Sequence, residues 1–177
     1  MNRRLAQGFH GAEPGPGRAP VRAVVALGAN LGDRVATLRT AVADLQRLPL
    51  TAGVVAAPAI ESIAVKPEGP DASAPAYLNT VALVTTRLAP TVLLTYLQAI
   101  EANHGRVREE HWGDRTLDLD LIAYGDARSD GPDLVLPHPR AKDRDFVLAP
   151  WLTLDPDAEL PGVGRVDALL ARLRGNA

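Results

Sequence analysis

The clearest pattern in the chain is an alternation of hydrophobic and polar residues along residues 116–124, TLDLDLIAY. A period of two is typical of a β-strand whose two faces meet different surroundings. The side chains expected to face a hydrophobic core are those of Leu117, Leu119 and Leu121. Asp118 and Asp120 would then lie side by side on the opposite face with Thr116, the two carboxylates about 6 to 7 Å apart.

Other stretches predict further strands and helices. Hydrophobic patterns predict strands at 21–27, 53–63 and 78–87, the second of them interrupted by Pro58. Helical periodicity predicts one helix over 34–48, capped by Asp33, and another from Pro90 to Gly105. A helical turn and a closing helix follow. The order strand, helix, strand, strand, helix, strand, with antiparallel neighbours, predicts an α+β fold, a ferredoxin-like sandwich with a mostly antiparallel sheet and helices packed on it.

Composition predicts one folded domain. The chain has 177 residues, and its 46% hydrophobic content is enough to build a core. Residues 1–20 are rich in Gly, Pro and Ala, so we expect a disordered leader followed by a single domain at 21–177. A net charge of -2 disfavours bulk nucleic-acid binding. The absence of Cys excludes disulfides, thiolate chemistry and zinc–thiolate sites.

The sequence also contains no signal for a membrane. No hydrophobic run reaches the roughly 18 residues that a membrane span requires. The first residues lack the apolar segment of a signal peptide. We therefore expect a cytoplasmic protein with no membrane partner, and a monomer.

The paired aspartates allow two interpretations. On an open antiparallel sheet, alternating acids can simply keep one surface hydrated. Alternatively, two carboxylates on a rigid strand can bind Mg²⁺, whose oxygen ligands are usually completed by substrate phosphates. Nearby arginines favour the second interpretation, because guanidinium groups bind phosphate through paired hydrogen bonds. These arginines are Arg106, Arg108, Arg115, Arg140 and Arg144. Together, these residues predict a site for a nucleoside triphosphate.

The turn GANLGDR, residues 28–34, joins the first strand to the first helix. Its residues Gly28 and Gly32 permit unusual backbone angles. A glycine-rich turn of this kind can cradle phosphate, but the Walker pattern with its Lys is absent. A turn that only connects the two elements is the favoured interpretation.

Polar and aromatic residues elsewhere are candidate ligand contacts. Asn79, partly buried at the start of the third strand, could pair with a heterocycle or close the neighbouring loop. Gln98 and Glu101 share a flank of the second helix and could contact a ligand or face solvent. Trp112 could stack on a flat ring. His138, among basic residues, could donate to phosphate or simply pack.

Four segments, in this order, resemble the hydroxymethyldihydropterin pyrophosphokinases of folate biosynthesis. They are ALGANLGD, AYLNTVALV, GRVREEHWGDRTLDLDLIAYG and LPHPRAKDRDFVLAP. The resemblance extends from about Val21 to Gly162, and RTLDLDLI is its highly specific signature. It implies transfer of pyrophosphate in one step from ATP to the hydroxymethyl group of 6-hydroxymethyl-7,8-dihydropterin, with release of AMP.

The same resemblance implies roles for individual residues. Asp118 and Asp120 correspond to ligands of two Mg²⁺ ions that are bound together with ATP. The catalytic arginines implied are Arg106, Arg108 and Arg115. The residues implied to bind the pterin are Tyr77, Asn79, Trp112 and Phe146. Those implied to bind ATP are Gln98, Glu101, Arg108, Arg115, Leu121, His138 and Arg144.

The chain departs from the family pattern at His111, Asp114 and Pro139, and the segment SIAVKPEG also differs. Two other functions would use some of the same features. A ferredoxin-like RNA-binding module would carry aromatic and basic residues on its central strands, yet only 4% of this chain is aromatic. A two-metal phosphodiesterase would use the same aspartates but would need further acidic or His ligands.

Overall fold

The computed structural model describes residues 19–66, 69–71, 75–105 and 116–175. Its strands in the first half of the chain are β1 (Val21–Ala29), β2 (Thr51–Ala56), β3 (Ile60–Ser62), β4 (Ala64–Lys66), β5 (Gly69–Asp71) and β6 (Tyr77–Thr86). Those in the second half are β7 (Asp118–Tyr124), β8 (Ser129–Asp130), β9 (Val135–Leu136), β10 (Glu159–Leu160) and β11 (Gly164–Arg165). The α-helices are α1 (Arg34–Arg47), α2 (Pro90–Asn103), α3 (Asp145–Leu154) and α4 (Val166–Gly175). Among the described residues, no helix is long and apolar enough to cross a bilayer.

The main sheet has the strand order β2-β6-β1-β7, and β3 extends it by pairing with β6. All of these pairs are antiparallel. With the helices α1 and α2 as crossovers, this is the ferredoxin-like order, so the predicted α+β fold is confirmed. The predicted strand over 53–63 is divided into β2 and β3, because Pro58 between them has no N–H to donate to a ladder.

Helices cover both faces of this sheet. On one face, Leu38, Leu45, Leu93 and Leu97 of α1 and α2 pack in one hydrophobic cluster with inward residues of the strands, including Leu119. On the other face, a second cluster joins α3 and α4 to the sheet. Residues 145–154, expected to form only a helical turn, are therefore a full helix. The predicted disordered leader lies mostly outside the described residues, which begin at residue 19.

The first turn of α1 is fixed locally. The Asp33 side chain accepts a hydrogen bond from Ala36 N at 2.9 Å, so the predicted N-cap is confirmed. Gly32 has a φ of 62°, the left-handed conformation that its lack of a Cβ permits. Gly28, by contrast, lies within β1 and has no left-handed φ. Its role is therefore not the turn that the sequence suggested.

Candidate active site

The paired aspartates lie on the face of β7 that also carries Ile122, toward α3 and α4. Both are half-buried, whereas Leu119 between them is 4% exposed and packs on the opposite face. In the β1–β7 ladder, Asp120 lies opposite Ala26 and Asp118 lies opposite Gly28. Both of these β1 residues are small. The predicted alternation is confirmed from Leu117 to Leu121, whereas beyond it a register shift leaves Ile122 and Ala123 both in the cluster on the α3 and α4 face.

Arg144, immediately before α3, forms an ion pair with Asp120. Its Nη1 lies 2.8 Å from Asp120 Oδ2, and the two side chains are 19% and 29% exposed. The guanidinium carbon also lies 5.7 Å from the centre of the Phe146 ring. This positive charge reduces the repulsion between Asp120 and Asp118, which would otherwise oppose two carboxylates on one face. Arg144 thus connects the acidic strand to the start of α3.

His138 is held beside the same carboxylate by the backbone. Its N–H donates to Ile122 O of β7 at 2.8 Å, and its Nε2 lies 3.9 Å from Asp120 Oδ2. Arg140 N donates to His138 Nδ1 at 3.2 Å, so in the neutral ring the proton is on Nε2. Burial lowers the pKa of His138 from 6.5, and the Asp120 carboxylate only partly opposes this. Near neutral pH, the lowered pKa favours the uncharged ring, whose Nε2–H is a donor beside Asp120.

Asn79 lies across β1 from Asp118. Gly28 pairs with Asn79 in the β1–β6 ladder and with Asp118 in the β1–β7 ladder, so all three form one row across the sheet. Two strand spacings separate Asn79 from Asp118, which is roughly 10 Å between Cα atoms. Asn79 is 6% exposed, and its Nδ2 donates to Ser62 Oγ at 2.8 Å. The predicted burial of this amide is confirmed.

Gly28 is required for this close packing. A Cβ at this position would lie 3.0 Å from Asn79 Oδ1 and 3.7 Å from Tyr77 Cδ1. Gly28 was expected only as part of a turn, so the glycine motif pointed to this residue for a different reason. Ser62 is the first residue of SIAVKPEG, the segment that departs from the family pattern, and its contacts were left open.

Three of the residues expected to bind ATP, Gln98, Glu101 and Leu121, differ in their exposure to solvent. Glu101 is 2% exposed, and its Oε1 accepts from Leu119 N at 2.7 Å, between the two aspartates. Gln98 is exposed on α2. Leu121 is 3% exposed and belongs to the cluster under α1 and α2, on the face opposite the aspartates. Glu101 therefore supports the backbone of the acidic strand from the outer edge of the sheet.

The structure thus brings together Asp118, Asp120, His138, Arg144 and Phe146, with Asn79 and the half-buried Tyr77 across β1. Arg140 and Pro139 are exposed beside His138. Several predicted residues lie outside the described part of the chain: Arg106, Arg108, His111, Trp112, Asp114 and Arg115. Their roles stay predictions.

A ferredoxin-like sheet that presents two carboxylates beside an arginine and a histidine has groups that a phosphoryl-transfer enzyme uses to bind metal ions and phosphate. Residues 24–156 match the family model described as 7,8-dihydro-6-hydroxymethylpterin-pyrophosphokinase. The chain belongs to this family.

Individual relatives agree with the family match. A 2-amino-4-hydroxy-6-hydroxymethyldihydropteridine pyrophosphokinase of Pseudomonas aeruginosa is 43% identical over 150 residues, which are 85% of this chain and 90% of that protein. The enzyme of the same name from Haemophilus influenzae is 39% identical over 141 residues, covering 80% of this chain and 86% of that protein. A crystal structure of Plasmodium falciparum HPPK-DHPS with pteroate superposes with a TM-score of 0.62 at 11% identity. That match covers 86% of this chain and 43% of the other, and because the identity is only 11% it supports the fold alone.

Proposed function

We propose that this protein transfers pyrophosphate from ATP to the hydroxymethyl group of 6-hydroxymethyl-7,8-dihydropterin, releasing AMP, as a step of folate biosynthesis. Its family and the names of its relatives support this activity. The structural observation that carries the proposal is the row Asn79, Gly28, Asp118. It joins a buried amide, suited to a heterocycle edge, to carboxylates suited to a metal–phosphate complex.

Asp118 and Asp120 are the residues that would hold Mg²⁺. They offer the carboxylate oxygens that this ion prefers, on one rigid strand. The described residues contain no group of three or more His, Cys, Asp or Glu side chains that could hold a metal without help. The donor set fits ions whose remaining ligands are ATP phosphates and water, and we propose two such ions. When bound, they would neutralise phosphate charge and align the β-phosphorus.

Arg144 and His138 would contact the ATP phosphates. Arg144 uses Nη1 for Asp120, and a guanidinium group has five N–H donors, so others can reach a phosphate oxygen without breaking this pair. His138 offers Nε2–H as a neutral donor beside the same carboxylate. We propose that Arg106, Arg108 and Arg115 add further positive charge, and that Gln98, Glu101 and Leu121 contribute to the nucleotide side.

The pterin would lie at the other end of the row. Asn79 would bond to the ring edge, and Tyr77, Phe146 and Trp112 would pack against its faces. The hydroxymethyl oxygen attacks the β-phosphorus, and the bond from that phosphorus to the oxygen bridging to the α-phosphate breaks. AMP leaves with the bridging oxygen, and the hydroxyl proton passes to solvent. Such a reaction depends on alignment and charge neutralisation more than on a strong base.

The alternative functions lack comparable support. A two-metal phosphodiesterase needs protein ligands beyond two aspartates, and the described residues place no such cluster there. The family assignment does not favour an RNA-binding module. The cytoplasmic location and the monomeric state stay predictions from the sequence.

Product analysis tests the proposal. Wild-type protein with ATP, Mg²⁺ and hydroxymethyldihydropterin should release AMP and form the pterin diphosphate, with no AMP in the absence of the pterin. Release of ADP or free phosphate instead, or AMP formation independent of the pterin, would contradict it. Omission of Mg²⁺ with added EDTA should abolish AMP formation.

A further inference from the structure

Arg34, the first residue of α1, bridges two distant points of the chain. Its Nη1 donates to Ala76 O at 2.7 Å, and its Nη2 lies 2.9 Å from Glu61 Oε1. Glu61 is the middle residue of β3, and Ala76 directly precedes β6. A single guanidinium group therefore ties β3 to the start of β6.

The tied positions directly precede residues of the pterin side of the site. Glu61 precedes Ser62, which accepts the Asn79 amide bond, and Ala76 precedes Tyr77. Ser62 and Tyr77 are paired in the β3–β6 ladder, which has only three residue pairs. Because so short a ladder supplies few bonds of its own, the alignment of these residues depends on the contacts at its end.

The two bonds of Arg34 are not equivalent. Glu61 is 65% exposed, so its ion pair is screened by solvent and contributes little. The bond to Ala76 O is partly buried, and it satisfies a backbone acceptor with a charged donor. Arg34 itself is held in place by the turn before it, since Arg34 N bonds to Gly32 O at 3.0 Å and Asp33 caps the helix. The backbone that carries the side chain is thus held in place, and the guanidinium group forms a fork between Ala76 O and Glu61 Oε1.

We propose that Arg34 is a positioning residue for the pterin: its fork holds Ser62 and Tyr77 in the arrangement that presents the Asn79 amide to the ring. This inference rests on the proposed function. The contacts of Arg34 are on the β3 and β6 side of β1, whereas Asp120, Arg144 and His138 are on the β7 side. Loss of Arg34 therefore weakens pterin binding and leaves ATP binding and the chemical step nearly unchanged.

Steady-state kinetics of Arg34→Ala tests this role, with Arg47→Ala as the matched control. Arg47 is on the same helix and forms only an exposed pair with Asp44 among the described contacts. For Arg34→Ala we expect KM for the pterin to rise roughly tenfold, as for loss of one charge-assisted hydrogen bond, with kcat and KM for ATP within about twofold. Arg47→Ala should match wild type in all three parameters. Glu61→Gln should have a small effect, since the bond to Ala76 O remains, and Arg34→Lys should be intermediate because an ammonium group lacks the fork.

Hydrogen exchange provides a readout without turnover. Backbone amides of residues 60–62 and 77–79 should exchange faster in Arg34→Ala than in wild type, and those of α2 should not. An unchanged KM for the pterin in an active enzyme, or an equal rise in KM for ATP, would overturn the role of Arg34. Wild-type protein without pterin-dependent AMP release would instead overturn the proposed function, and the two failures are therefore distinguishable.

Discussion

Arg144 Nη1 lies 2.8 Å from Asp120 Oδ2, so the acidic strand is partly neutralised by the protein itself. Without this partner, Asp118 and Asp120 would place two negative charges side by side on a half-buried surface. In the proposed function, this pair would prepare the strand for metal and phosphate, because the N–H groups of Arg144 that do not contact Asp120 could reach the nucleotide.

The aspartates should be essential for turnover. Asp118→Asn and Asp120→Asn keep the side-chain shape but remove the charge that a dication requires. We expect kcat/KM to fall by at least about a hundredfold in each, as for loss of a group that stabilises charge in the transition state. Asp126→Asn, in the exposed turn after β7, is the control and should keep wild-type activity. Initial rates of AMP release measure the effect, and undiminished rates would exclude the proposed metal role.

Replacing Arg144 should affect ATP more than the pterin. Arg144→Ala removes the ion pair and a proposed phosphate contact, so KM for ATP should rise on the order of tenfold or more. Arg144→Lys should not restore it fully, because an ammonium group cannot bind a carboxylate and a phosphate with the same geometry. The free energy of unfolding should fall by only about 1 kcal/mol, since the pair is partly solvated. Urea unfolding and ATP titrations would separate these effects.

A methyl group at Gly28 should disturb the pterin side. In Gly28→Ala, the new Cβ would lie 3.0 Å from Asn79 Oδ1, so the amide must shift by a few tenths of an ångström. We expect weaker pterin affinity with little change in ATP affinity. Gly53→Ala on β2 meets nothing within 4 Å and is the matched control. Equal pterin affinity in both variants would show that the Asn79 position is not critical.

The free energy of unfolding should depend on the protonation of His138. Its pKa in the folded protein is below the ordinary 6.5, so the unfolded chain binds the proton more readily. The stability that the neutral His138 contributes is fully present above the pKa of the unfolded chain. It decreases as the pH falls from that pKa toward the lower pKa of the folded protein. His138→Gln should therefore show a weaker loss of stability than wild type between about pH 7.5 and 5.5. Urea unfolding in EDTA at several pH values measures this, and parallel curves for both proteins would contradict it.

Glu101 should contribute to stability and to activity together. Glu101→Ala would leave the buried Leu119 N–H without its acceptor, at a cost of roughly 1 to 3 kcal/mol. The loss occurs between the two aspartates, so we also expect weaker binding of Mg²⁺ with ATP. Glu101→Gln keeps an acceptor oxygen and should recover most of the stability. Thermal unfolding and Mg²⁺ titrations would test this, with the exposed Glu159→Ala as control.

The main elements were predictable because their signals are local. The alternation around Leu119 and the cap at Asp33 each depend on a few neighbouring residues, and both are confirmed. Asn79 was predicted to be buried from its position in a strand pattern alone. The division of the second strand at Pro58 also follows from a single residue's missing N–H.

The remaining features depend on residues far apart in the chain. The contact of Arg34 with Ala76 spans 42 positions, and no short pattern contains both residues. Gly28 was interpreted as part of a turn, yet β1 continues through it because it is paired on both sides. Glu101 lies on a helix flank that is usually solvated, but the packing of α2 against β7 buries it.

The row of Asn79, Gly28 and Asp118 bears on the effect of amino-acid substitutions near the site. In the proposed function, the distance between pterin and triphosphate would be set by the ladders of main-chain hydrogen bonds that join Asn79, Gly28 and Asp118, and substitutions of side chains scarcely alter such ladders. Substitutions of side chains would therefore change the affinity for each substrate, while the distance that the transferred group must cross would stay constant.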